Sequence, residues 1–179
     1  MSMILRFRML SDENDAFLRE YEMPYDATLL DFNDYICHNL HYDSDMASFF
    51  LSDKEWNKGR EFTLMDMGFD EDMPAEMAEE MPQYMGDVVL GQIMHNNHDR
   101  LIYMFDMLGE RAFYLELTGA DVAQDGVSYP RTTASEAAAP DQYDAAAESD
   151  DHGSIFDEVM SEFDEFGDYE SDDYADDEY

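Results

Sequence analysis

Residues 100–119, RLIYMFDMLGERAFYLELTG, leave a chain like this little freedom. Two apolar runs, 101–105 and 113–117, flank a short polar and glycine-containing break at 106–111. Both runs are aromatic and aliphatic, the composition of strands buried on at least one face. So short a break joins neighbouring antiparallel strands, which predicts a β-hairpin at the centre of a sheet. In the second run Phe113, Leu115 and Leu117 share one face and Tyr114, Glu116 and Thr118 the other, the alternation of a sheet with one dry side.

Charge is the second constraint. The chain has 179 residues, room for one domain plus an appendage, and carries 45 acids against 9 bases, a formal net charge of −36. Residues 1–131 hold 27 of the acids and all 9 bases, whereas residues 132–179 hold 18 acids and no Lys or Arg. Such a surface repels nucleic acid phosphates and anionic membranes, since neither releases counterions to it, and attracts basic proteins or multivalent cations. Direct nucleic-acid and membrane binding are therefore not expected. Competition with nucleic acid for a basic protein surface is. The single Cys37 excludes an internal disulfide and, beside Ile36, suits a buried reduced thiol. The opening MSMILRFRML has too short an apolar stretch for a signal peptide, and no run approaches a membrane span, so a cytoplasmic protein is expected.

In chain order, residues 3–10 alternate as a strand with Met3, Leu5 and Phe7 inward. Residues 16–23 alternate again and should pair back on it, ending at Pro24. Thr28 with Asp31 three residues on forms an N-terminal helix cap, followed by a stripe of Leu29, Phe32, Ile36 and Leu40 widened by Leu30 and Cys37; Asn39 marks the end. Strands are expected at 47–52 and 61–65 around the turn DKEWNKGR, with Trp56 closing one end of the core. Residues 67–85 read as an acidic, Met-rich excursion (Met73, Met77, Met81, Met85) with one helical turn at 75–80. Asp87 should cap a short helix over 88–94. The globular domain is then drawn at 1–131, a flexible linker at 132–153 and an acidic tail at 154–179, because the stretch after Arg131 has too few large apolar residues to offset ordering entropy.

The segments TLLDFNDYI, GDVVLGQIM, RLIYMFDMLGERAFYLEL and YPRTTASEAAAPDQY, in that order, resemble the plasmid Orf-three-like family first described from an Ri plasmid. The resemblance covers roughly residues 3–143 and is most specific at 101–117, where Asp106 and Gly109 stand at the family's Asp and turn positions. The family's usual Phe-Gly-Asp and Trp are replaced here by Met107, Leu108, Gly109 and Glu110 and by Ala112 and Phe113. Membership implies an α+β fold: a mixed, mostly antiparallel sheet with two or three packed helices, followed here by a disordered acidic tail. It implies no established activity.

Two His-x-x-His spacings, His38/His41 and His95/His98, have Asp43 and Asp99 nearby and could start a metal site. Neither has the helix-plus-glutamate setting of a hydrolytic zinc motif, and structural or surface histidines are the favoured reading. Cys37 and His38 are adjacent on a helix, about a hundred degrees apart, a poor geometry for a nucleophilic pair. No phosphate loop, dinucleotide fingerprint or nucleophile elbow is present, and no cofactor is expected. Asp106 with Gly109 is read as a turn acceptor ahead of a ligand site.

The tail has more content. In SIFDEVMSEFDEFG, Ser154 and Asp157 can cap a helix over 155–166 whose Ile155, Val159, Phe163 and Phe166 form a stripe with Phe156 and Met160 beside it. A lone acidic helix of this length is marginal in water and is expected to form against a partner's apolar groove with a basic rim. The expected function is thus a non-enzymatic interaction protein for a basic, nucleic-acid-handling partner such as RNA polymerase. The plan of small domain plus polyanionic tail resembles the delta subunit of some bacterial RNA polymerases. The alternative is a metal-dependent enzyme using His95, His98 and Asp106.

Overall fold

The computed structural model describes residues 1–68 and 72–143. The chain divides into two units, Met1–Gln142 and Tyr143–Tyr179, and the architecture below is that of the first. Its elements in chain order are β1 (Met3–Ser11), β2 (Leu18–Pro24), α1 (Leu29–Leu40), β3 (Ser48–Ser52), β4 (Lys58–Thr63), α2 (Ala75–Glu80), β5 (Gln83–Tyr84), α3 (Leu90–Ile93), β6 (Arg100–Asp106), β7 (Arg111–Val122) and β8 (Arg131–Glu136). The strands form one eight-stranded sheet in the order β5-β4-β3-β6-β7-β1-β2-β8. Only the β4–β5 pair is parallel, so the fold is α+β with a mixed, mostly antiparallel sheet.

The aromatic hairpin, β6 and β7, takes the two middle places of that sheet, and its alternation decides which face is dry. Leu101, Tyr103 and Phe105 of β6 and Phe113, Leu115 and Leu117 of β7 are buried in the main core with Leu5, Phe7 and Met9 of β1. Helix α1 covers this face. It starts where Thr28 accepts from the Asp31 amide at 3.1 Å while the Asp31 carboxylate accepts from the Thr28 amide at 2.8 Å. That reciprocal cap satisfies two amides that would otherwise lack partners. Phe32 is buried against Phe7, Tyr21 and Phe49, at ring-centroid separations of 4.9, 6.1 and 5.7 Å.

Three expectations change. Trp56 does not close the main core. It lies half-buried on the opposite face of the sheet, packed with Phe50 and Tyr114 over buried Ile102, Met104 and Ala112, and the Arg100 guanidinium stands 4.4 Å from its ring. The cause is the turn: the Asp53 carboxylate accepts from the Glu55 and Asn57 amides and from Asn57 Nδ2, and Trp56 itself has a left-handed φ of 63°. The helix expected over 88–94 shrinks to the four residues of α3; Asp87 ends a preceding 3₁₀ turn, and Gln92 Oε1 instead accepts from the Val89 amide.

Residues 132–136, expected as the start of a flexible linker, instead belong to β8, which adds to the edge of the sheet against β2. Polar contacts substitute for the missing apolar bulk. Thr132 Oγ1 meets the Tyr35 hydroxyl at 2.8 Å, Arg19 donates to the Glu136 carbonyl at 2.8 Å and Arg131 pairs with Glu22. The chain then stays strapped to the domain as far as Gln142: Tyr42 donates to the Pro140 carbonyl, Arg111 to the Asp141 and Gln142 carbonyls, and the Gln142 side chain bonds the Asp43 backbone at both ends.

Candidate functional site

The outward side of α1 carries the most distinctive surface. Asp31, Asp34, Tyr35 and His38 recur at spacings of three and four, which stacks them along one side of a helix. The connection from β2 into α1 runs alongside, bringing Pro24, Asp26 and Ala27, with Met23 buried beneath and Pro130 at one edge. Together these residues line an open groove of about 570 Å³. Its floor is apolar and aromatic. Asp26, Asp31, Asp34 and His38 are exposed around it, and no Arg or Lys lines it. Asp31 Oδ2 is engaged by the helix cap and Asp34 Oδ1 accepts a long 3.3 Å bond from Asn33, whereas none of the three carboxylates forms an ion pair with a base among the described residues.

Most of the arginines are occupied elsewhere. Arg8 pairs with Glu20 at 2.9 Å, Arg100 with Glu116 at 3.1 Å and Arg111 with Glu13 at 3.0 Å; Arg131 holds Glu22, and Arg6 lies 3.9 Å from Asp121. Arg19 sits over the Phe17 ring and Lys58 over Phe50. Bases dispersed in this way, five of them paired with carboxylates, offer no stripe to a phosphate backbone.

The histidines do not assemble. His38 lines the groove and His41 ends α1 with a left-handed φ, both exposed. His98 Nδ1 meets Glu116 Oε1 at 2.9 Å, which with Arg100 holds the Glu116 carboxyl below the ordinary range. His95 and His98 precede one end of β6 and Asp106 closes the other, so the seven-residue strand keeps them about 20 Å apart at its usual rise. Among the described residues no group of three or more His, Cys, Asp or Glu could hold a metal ion. Asp106 is a turn residue: its Oδ1 accepts from the Leu108 and Gly109 amides at 3.1 and 2.9 Å. A Cβ at Gly109 would stand 2.5 Å from Asp106 Oδ2, so a side chain there would displace that carboxylate. The tail stripe Ile155, Phe156, Val159, Met160, Phe163 and Phe166 lies outside the described residues.

Two features escaped the sequence reading. One is the groove, whose available signal was the run of Asp31, Asp34 and His38 opposite the apolar stripe of α1. The other is a buried polar cluster: Tyr103 donates to Asn33 Oδ1 at 2.8 Å and its hydroxyl meets Cys37 Sγ at 3.2 Å. Burial pushes the Cys37 thiol and the Tyr103 phenol up, so both stay protonated at neutral pH. A protonated, enclosed thiol is a poor nucleophile, and this cluster serves to fix α1 on β6.

The family model described as plasmid pRiA4b ORF-3-like protein matches residues 4–164. Among solved structures, the chain is similar to a crystal structure of a protein of unknown function from Methanosarcina mazei Go1, with 17% identity and a TM-score of 0.62 over 98% of this chain and 95% of that one. This likeness concerns the fold. No curated protein matches the sequence. No helix among the described residues is long and apolar enough to cross a membrane.

Proposed function

The chain belongs to the plasmid pRiA4b ORF-3-like family, and we propose that this member is a non-enzymatic, cytoplasmic interaction protein that binds a basic, nucleic-acid-handling partner through its domain and its polyanionic C-terminal segment. The observation that carries the reading is the internal commitment of most of the arginines. Five arginines are paired with carboxylates of the same domain, while the groove carboxylates form no ion pair among the described residues and residues 132–179 add 18 acids to the sequence without one Lys or Arg. The surplus negative charge is therefore available to a partner, and the same charge repels nucleic acid itself. In the C-terminal segment, the apolar stripe of Ile155, Val159, Phe163 and Phe166 would supply packing against the partner and the surrounding acids would supply steering.

The test is competition. A labelled DNA duplex is bound to a polylysine-coated surface, and the purified full-length chain is added at rising salt. The chain should displace the duplex at low salt and lose that ability as the Debye length falls to about 8 Å near 0.15 M and below. Binding of the chain to DNA alone, or displacement indifferent to salt, would contradict the reading.

A further inference from the structure

We propose that the groove along α1 docks an extended arginine- or lysine-bearing segment of a protein partner. This deepens the interaction reading, on which it rests, by assigning a place on the domain and a chemistry to the occupant.

The floor is apolar: Met23 and Ala27 are buried, and Pro24, Tyr35 and Pro130 continue the surface outward. The rim is anionic, with Asp26, Asp31 and Asp34 exposed along it. Lysine and arginine combine the two properties this arrangement calls for, a methylene stem that lies on apolar surface and a charged head that remains at the wet edge. A guanidinium adds a planar fork for a carboxylate and can stack on an aromatic wall, here Tyr35. Anionic ligands are excluded by the rim.

A bare metal ion fits poorly, because the carboxylates and His38 do not converge into a metal-binding group. At about 570 Å³ the groove is of ligand-pocket size, larger than one cation head requires, which favours a side chain together with flanking backbone. The nearest arginine in sequence to the groove edge, Arg131, is held by Glu22 and does not fill it. Asp26 and Asp34 are the determinants, since one oxygen of Asp31 is already spent on the helix cap.

The experiment uses the isotopically labelled full chain and a capped hexapeptide of alternating arginine and glycine, followed residue by residue through backbone amide shifts at low salt. The amides of Ala27, Asp34 and His38 should shift and saturate. The double variant D26N/D34N keeps shape and hydrogen-bonding capacity while removing both charges. It should weaken occupancy at those amides by about tenfold or more, the usual cost of losing charge-assisted hydrogen bonds. Removing two exposed charges elsewhere, with E76Q/E79Q on α2, should change it by less than about threefold, the scale of a screened surface charge. Groove shifts that survive D26N/D34N, or that fall equally with E76Q/E79Q, overturn the groove while leaving the polyanion reading standing. A peptide that perturbs no amide anywhere in the chain overturns both. Spermine producing the same groove shifts at the same concentration overturns the assignment to a peptide.

Discussion

Tyr103 shows how much of this fold is fixed by single polar groups. It is fully buried, and its hydroxyl joins Asn33 and Cys37 of α1 to the central strand β6. Tyr103→Phe removes the donor and leaves the buried Asn33 carbonyl without it, which should cost about 1–3 kcal/mol in urea unfolding with an unchanged slope; an unshifted midpoint would show that the bond contributes nothing. The raised thiol and phenol values have a pH consequence as well. Cys37, Tyr21, Tyr42 and Tyr103 hold their protons in the fold beyond the point where the unfolded chain releases them, chiefly because of burial. Their contribution is therefore whole below about pH 8.5, the free-thiol value, and is lost as pH rises past the free thiol and phenol values. The melting temperature should fall between pH 8 and 11, and a flat profile would contradict the account. Cys37 was legible as a buried thiol, but the polar contacts of the cluster were not. Asn33 sits on the apolar side of α1 with nothing in sequence to announce that a tyrosine seventy residues later would satisfy it.

At the scale of elements, legibility followed local pattern. The cap of α1 could be read because Thr28 and Asp31 stand at the capping-box spacing before an apolar stripe, and Thr28→Ala should cost about 1 kcal/mol, seen as a lowered midpoint of chemical unfolding. The hairpin could be read because β6 is an apolar run buried on both faces and β7 buries alternate large residues, and the single turn of α2 because Pro74 precedes an Ala- and Glu-rich run. Strand β8 could not. Its RTTASE has no apolar alternation, and its place depends on distant partners: the hydroxyl of Tyr35, the guanidinium of Arg19 and the carboxylate of Glu22. Trp56 failed for a related reason. Which face it joins is decided by the Asp53-pinned turn and its own left-handed backbone, and neither is visible in a strand pattern. The groove on α1 is a product of two elements lying side by side, so sequence showed its carboxylates but not the apolar floor supplied by the end of β2.

For the whole molecule, electrostatics dominates. A formal charge of −36 makes the compact state self-repelling, and the ion pairs that five arginines form with carboxylates among the described residues offset only part of it. Raising sodium chloride from about 0.01 M, where the Debye length is near 30 Å, to about 0.5 M should therefore raise the melting temperature. A fall would mean that the paired charges outweigh the repulsion. The same surplus underlies the functional proposal, and its most direct test is a native pull-down from the source cells. The full-length chain is compared with a chain ending at Glu148 at low and moderate salt, and the retained proteins are identified by mass spectrometry. The account predicts a basic, nucleic-acid-handling protein retained by the full-length chain, weakened by loss of residues 149–179 and released as salt rises. Retention of a partner that is not basic, through contacts indifferent to both salt and those residues, would contradict it.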